Sequence, residues 1–178
     1  MNIRVNEEIR LELIKEEHAA LIFDSVDNNR FYLKKWLSFI DAMHNLHFAE
    51  EFVKRSMTQY KEGREAGFVI FYKEDMVGRI GVYKIEPYNR IGEIGYWLTE
   101  NAQGKGIVTK ACEALIGYCF AELKLNRLEI KCGTENKKSQ AIPERIGFTK
   151  EGIIRQGEFL YDHFIDLYLY SLLQKEQK

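Results

Sequence analysis

Residues 92–114, GEIGYWLTENAQGKGIVTKACEA, restrict the fold more than any other stretch of the chain. Residues 92–98 have strand character, and Thr99-Glu100-Asn101 forms a polar turn. Gln103-Gly104-Lys105-Gly106-Ile107-Val108 then opens a long amphipathic helix. At such a junction the first N–H groups of the helix lack intrahelical partners and the helix dipole presents its positive end, so the turn is able to collect a phosphate. Glycine suits the place because a backbone approached closely by a ligand carries no Cβ there. A Gly-x-Gly before a helix also serves as a plain tight turn, and spacing alone leaves both readings open. A dinucleotide fingerprint is excluded because no third glycine follows at the required spacing. A Walker loop is excluded because Gly-Lys-Ser/Thr does not follow four intervening residues.

The helix predicted over 104–123 carries Ile107, Ala111, Ala114, Leu115 and Tyr118 as one stripe, widened by Val108, Cys112 and Cys119. So broad an apolar arc is expected to lie on a sheet. A strand over 127–132 follows, so strand, helix and strand form a right-handed crossover between two parallel neighbours. Upstream, alternation at Ile9, Leu11 and Leu13 predicts a strand over 9–14, and helices are expected over 16–27, 30–40 and 48–65. Strands over 68–72 and 77–85 are joined by Lys73-Glu74-Asp75-Met76 as a hairpin. Downstream come a short helix over 137–146, shortened or kinked by Pro143, and strands over 149–160 and 164–173. The expected fold is α+β, a single domain over 1–178 with a mixed, mostly antiparallel twisted sheet flanked by helices.

A length of 178 residues is enough to bury a core without disulfides or metals. A net charge of −1 gives no support to a general nucleic-acid binder. No apolar run is long enough to span a bilayer, and MNIRVNEEIR has no signal-peptide core, so the expected location is the cytoplasm. The three cysteines read as core thiols. His44 and His47 have the spacing of one helical face but lack a third ligand, and no metal site is expected.

Three blocks together give the chain a family resemblance: Gly92-Glu93-Ile94-Gly95-Tyr96-Trp97-Leu98, then Gln103-Gly104-Lys105-Gly106-Ile107-Val108, then Asn136-Lys137-Lys138-Ser139 with Glu144-Arg145-Ile146-Gly147-Phe148. In that order they resemble the GCN5-related N-acetyltransferase (GNAT) superfamily, and within it the ribosomal-protein N-terminal acetyltransferases of the RimL and RimJ type. The resemblance implies two central parallel strands that splay apart and acetyl-CoA as cosubstrate. The family's loop motif, Gln/Arg-x-x-Gly-x-Gly/Ala, falls on Gln103, Gly106 and Val108, where valine departs from the usual small residue. By this resemblance the N–H groups of Gln103, Gly104, Lys105, Gly106, Ile107, Val108 and Thr109 hold the coenzyme diphosphate. The backbone of Tyr96, Trp97 and Leu98 takes the pantetheine arm, and Asn136, which also reads as a helix cap, contacts that arm.

Acetyl transfer from a thioester to an amine needs a neutral amine, support for an oxyanion and a proton for the departing thiolate. Taken alone, Glu158 reads as a solvated strand charge and Ser139 as an ordinary helix hydroxyl. The resemblance makes Glu158 the general base and sets Ser139 near the sulfur. Glu93, beside the splayed strand, is the alternative base, and the N–H of Leu98 is the expected oxyanion donor. An α-amine titrates near ~7.8 and a lysine near ~10.4, so a neutral lysine at pH 7 costs about 3.5 kcal/mol more. One carboxylate without a relay suits an α-amine, consistent with the N-terminus of a ribosomal protein as acceptor. The alternatives are a small amine, such as a polyamine or an antibiotic amino group, and a non-catalytic acyl-CoA-binding or scaffold module. Exposed aromatic strands leave room for a homodimer; neither a membrane nor direct nucleic-acid contact is expected.

Overall fold

The computed structural model describes residues 1–177 and is built on one eight-stranded sheet. In chain order the strands are β1 (Asn2–Arg4), β2 (Ile9–Leu13), β3 (Ala66–Tyr72), β4 (Asp75–Glu86), β5 (Ile91–Leu98), β6 (Arg127–Gly133), β7 (Thr149–Leu160) and β8 (His163–Leu173). Their order across the sheet is β1-β2-β3-β4-β5-β6-β8-β7. Every neighbouring pair is antiparallel except β5 and β6. The helices are α1 (Ala19–Asp27), α2 (Arg30–Leu33), α3 (Leu46–Lys61), α4 (Ile107–Ala121) and α5 (Lys137–Ile146).

Both faces of the sheet's middle are covered, which explains why residues 66–71 read as an unbroken apolar run rather than an alternating one. Phe68 and Ile70 turn to the face packed by α4, with Ile80, Ile94, Leu128, Ile130 and the helix residues Ile107, Ala111 and Leu115. Val69 and Phe71 turn to the opposite face, where Ile22 and Val26 of α1 and Val53 of α3 meet Trp97. Period two therefore assigns β5 as well: Ile94 and Tyr96 belong to the α4 face, Glu93 and Trp97 to the other. All three cysteines are buried free thiols, and burial pushes those of Cys112 and Cys119 far above their ordinary range.

The elements depart from the sequence reading where side chains replace backbone partners. Helix α4 begins at Ile107 rather than at residue 104, because Gly104 and Gly106 both hold positive φ and cannot be helical. Helix α3 begins two residues earlier than expected, since the Asn45 side chain accepts from Phe48 N–H at 3.2 Å and caps it. The helix expected over 30–40 stops at Leu33. Beyond it the Arg30 guanidinium donates to the carbonyls of Ile40 (2.6 Å) and Met43 (2.7 Å), holding an irregular segment in place of a helix. Strand β1 was not anticipated. It is three residues long, returning on β2 through a turn in which Asn6 Oδ1 accepts from the N–H groups of Glu8 and Ile9.

Pro143 does not shorten α5, which runs unbroken from Lys137 to Ile146. A proline lacks the N–H that would bond the carbonyl four residues back, here that of Ser139. The freed carbonyl accepts instead from the Tyr96 hydroxyl at 2.9 Å.

Candidate active site

The site begins where β5 and β6 part. Their parallel pairing runs from Ile91↔Arg127 to Ile94↔Ile130 and ends there, although β5 continues to Leu98 and β6 to Gly133. On its other edge β5 stays paired with β4 as far as Gly78↔Leu98, and β6 stays paired with β8 as far as Gly133↔Leu167. Thr99 N–H donates to Val77 across to β4 at 2.8 Å. Alternation along the strand then turns the N–H and C=O of Leu98 and Tyr96 to the opposite edge, into the gap. A wedge lined by peptide groups results, suited to an extended amide-bearing chain.

The turn after β5 leads straight to the start of α4. Gly104 (φ 75°) and Gly106 (φ 71°) are left-handed, and a Cβ built on either meets no atom within 4 Å. What the fold itself demands of these glycines is backbone conformation, rather than room among neighbouring side chains. Gly106 caps α4 without a side-chain bond, and the helix's first backbone bond runs from Lys110 N–H to Gly106 O. The N–H groups of residues 104–109 accordingly find no backbone acceptor among the described residues, whereas that of Gln103, expected in the same set, donates to Glu100 O at 3.4 Å in the short turn before it. They form the concave donor set that an anion at a helix N-terminus requires. Val108, the departure from the family motif, is 8 % exposed and packs inward with the α4 core.

Cations surround this turn. Lys105 lies over the Tyr72 ring at 5.3 Å, Lys138 Nζ donates to Gln103 Oε1 at 2.8 Å, and Arg145 donates to Thr109 Oγ1 at 3.0 Å. Lys138 and Arg145 stand in the third sequence block, but the sequence reading gave neither a role. Their spacing of seven on α5, two helical turns, was the available signal that both share a face. Tyr32, bonded to Gln103, and Asn29, which accepts from Glu100 N–H at 3.0 Å, join the turn from α2 and the residue before it. No sequence signal marked either.

Asn136 caps α5, its side chain accepting from Ser139 N–H at 3.2 Å. That bond presents Ser139 at the mouth of the wedge, where its hydroxyl donates to Cys132 Sγ at 3.3 Å and lies 3.4 Å from the Tyr96 hydroxyl. Burial raises both the Tyr96 hydroxyl and the Cys132 thiol above their ordinary ranges, so neither is an ionised nucleophile at neutral pH.

The carboxylates lie on the other face. Burial opposes the charge of Glu93, but Lys131 Nζ at 2.7 Å and Lys84 Nζ at 3.1 Å outweigh it and hold the carboxyl below its usual range. Glu158 reaches the same region because β7 is bulged, the three residues between Ile154 and Glu158 standing opposite the one between Leu167 and Ile165 on β8, with Gln156 at φ 49°. Burial raises the Glu158 carboxyl, with the nearby charge of Glu93 adding to the rise, while a hydrogen bond from Ser38 (3.3 Å) and Lys84 oppose it. The two neighbouring carboxyls are thus pushed in opposite directions, Glu93 down by its two lysines and Glu158 up by burial. The structure brings Glu158 and Glu93 together on one side of the wedge, and Ser139 and Asn136 together on the other.

A family model described as an acetyltransferase (GNAT) domain matches residues 8–149. The ribosomal-protein-serine acetyltransferase of Escherichia coli is 32 % identical over 175 residues, covering 98 % of each chain. Among solved structures, the ribosomal alpha-N-protein acetyltransferase RimL in complex with coenzyme A superposes with a TM-score of 0.95 at 27 % identity, over 99 % of this chain and 100 % of that one. The microcin self-immunity acetyltransferase MccE, in complex with acetyl-CoA and AMP, superposes with a TM-score of 0.91 at 32 % identity, over 95 % of this chain and 94 % of that one.

Proposed function

This chain belongs to the GNAT acetyltransferase family and is an N-acetyltransferase, and from that premise we propose that it carries the acetyl group of acetyl-CoA directly to the N-terminal α-amine of a ribosomal protein. The observation that carries the reading is the wedge, a parallel pair that stops at Ile94↔Ile130 beside an N-terminal turn with unpaired N–H groups. The residues fit the cosubstrate. The N–H groups of residues 104–109 would hold the diphosphate, with Lys105, Lys138 and Arg145 adding charge, and the peptide groups of Tyr96 and Leu98 would take the pantetheine amides, those of Trp97, expected to share the role, being turned to β4.

Bound acetyl-CoA supplies an activated acyl group. On the opposite face Glu158 receives the proton of the attacking α-amine as the new C–N bond forms. The N–H of Leu98 faces the gap and supports the oxyanion, and the Ser139 hydroxyl donates a hydrogen bond to the sulfur as the C–S bond breaks, coenzyme A leaving as a thiolate that takes its proton from solvent. Glu93, held charged by Lys84 and Lys131, is the weaker candidate for the base. An α-amine is favoured over lysine because, of the two carboxyls on the acceptor side, Glu93 is engaged by Lys84 and Lys131 and Glu158 alone is left to take a proton, and a lysine would cost about 3.5 kcal/mol more to present neutral at pH 7.

The test measures thiol release from acetyl-CoA with a serine-initiated peptide, a polyamine and an aminoglycoside in parallel. Turnover of the peptide supports the proposal. An inert peptide beside a reactive small amine overturns it in favour of the second reading, to which the likeness to MccE lends weight. Coenzyme binding without turnover of any acceptor points to a non-catalytic module. Glu158→Gln is expected to lower kcat by about 100-fold or more while leaving coenzyme affinity unchanged. Wild-type rates across pH would remove Glu158 from the mechanism.

A further inference from the structure

The segment between α1 and α3 touches both halves of the site. At one end Asn29 and Tyr32 bond the cofactor turn at Glu100 and Gln103. At the other, the Tyr161 hydroxyl donates to Leu37 O at 2.7 Å, and the next residue, Ser38, donates to Glu158 Oε1 at 3.3 Å. These last two contacts span 124 and 120 residues of sequence and close a bridge from the irregular segment to the tip of the β7–β8 hairpin.

Tyr161 is held firmly for this purpose. It occupies the hairpin turn at φ 61°, a left-handed conformation that a bulky side chain adopts only when its surroundings over-determine it. Lys34 Nζ stands 4.6 Å over its ring and is itself paired with Asp41 at 2.6 Å. The Tyr161 bond to Leu37 therefore fixes the backbone one residue before Ser38.

Resting on the reading of Glu158 as general base, we propose that Ser38 is a positioning residue for the acetyl transfer, its hydroxyl held by the Tyr161–Leu37 bond so that it aims the Glu158 carboxylate at the acceptor amine. One oxygen of Glu158 is engaged by Ser38, which leaves the other free to receive the amine proton. The groups that set the charge of Glu158 come from several elements: Glu93 on β5 repels it and Lys84 on β4 attracts it, while Lys131 on β6 is paired with Glu93. Ser38 is the neutral donor among them, and it favours the charged form.

The test is the pH dependence of kcat/KM for the acceptor found by thiol release, measured on the wild type, Ser38→Ala, Ser38→Thr, Tyr161→Phe and Glu158→Gln, with acetyl-CoA affinity measured alongside. In Ser38→Ala the ionisation of Glu158 should move up by about half a unit, while the higher ionisation of the acceptor amine stays in place. Its kcat/KM should fall about five- to tenfold with acetyl-CoA affinity unchanged. Ser38→Thr should restore both, and Tyr161→Phe should reproduce the loss more weakly. A Ser38→Ala profile that superimposes on the wild type while Glu158→Gln is inactive overturns the role of Ser38 alone. A fully active Glu158→Gln overturns the base assignment and this proposal with it. Equal losses in Ser38→Ala and Ser38→Thr, with no displaced ionisation, would reduce Ser38 to a structural contact and refute the inference.

Discussion

Gly106→Ala isolates what the turn before α4 demands of its backbone. Gly106 is the N-cap of the helix at φ 71°, ψ 8°, and an added Cβ meets no atom within 4 Å. No overpacking accompanies the substitution, so its cost is the local one of a left-handed L-residue, about 1–2 kcal/mol. A domain of this size loses about 2–4 °C of Tm per kcal/mol, which predicts a fall of about 2–8 °C by calorimetry or thermal melt. The chain relieves the strain by rotating the peptide units beside it, and those carry N–H groups of the donor set over residues 104–109. Loss of one such bond corresponds to about a five- to tenfold weaker Kd for coenzyme A by isothermal titration. Gly106→Asn, which tolerates the left-handed region, should recover roughly half of both effects. An alanine variant with unchanged Tm and unchanged Kd would show that the left-handed cap is not needed. A fall in Tm well beyond this range would mean that the position meets a contact the fold does not contain.

The contrasting substitution is Gly78→Ala, where the new Cβ would run into the Trp97 carbonyl oxygen and lie 3.0 Å from Leu98 Cα. Because backbone must move, stability should fall by about 3 kcal/mol or more in urea unfolding, and a melt within 2 °C of the wild type would refute the close approach. The carboxyl of Glu151 is pulled down to about 2, chiefly by the Arg127 guanidinium and then by the Ser171 hydroxyl. A depressed carboxyl contributes stability that is whole above its unfolded value near 4.5 and lost as pH falls toward 2. Wild type should therefore exceed Glu151→Gln by a constant amount above about pH 5, kept below about 1 kcal/mol by the exposure of the pair, and the gap should close below that pH. A gap that widens on acidification would contradict the pairing.

The middle of the fold was legible because its signals are local. The alternation of β5, the glycines of the turn and the stripe of α4 each declare themselves within a few residues, and the burial of β3 on both faces left an unbroken apolar run. The start of α4 was read three residues early because periodicity counts Gly104 and Gly106 as helical positions, whereas their positive φ excludes them. The order β6-β8-β7 was not legible, since the register of β8 against β6 is settled by packing and leaves no mark between the two segments. Most of the candidate site entered through three blocks whose combination resembles a family. Ser38 and Tyr161 lie outside them, and their partners stand more than a hundred residues away, so no window of sequence contains both sides of either bond.

Pro143 replaces a bond within a helix by a bond between elements. Had residue 143 carried an N–H, the Ser139 carbonyl would have closed a turn of α5 upon itself, and the helix would be complete but indifferent to its neighbour. With that rung missing, the carbonyl is satisfied by Tyr96 on β5, and the height of α5 along the splayed strand becomes a fixed quantity. The reach of the Ser139 hydroxyl is set by that height. A residue poorly suited to helices thereby acts as a registration pin between the splayed strand β5 and the helix that carries Ser139.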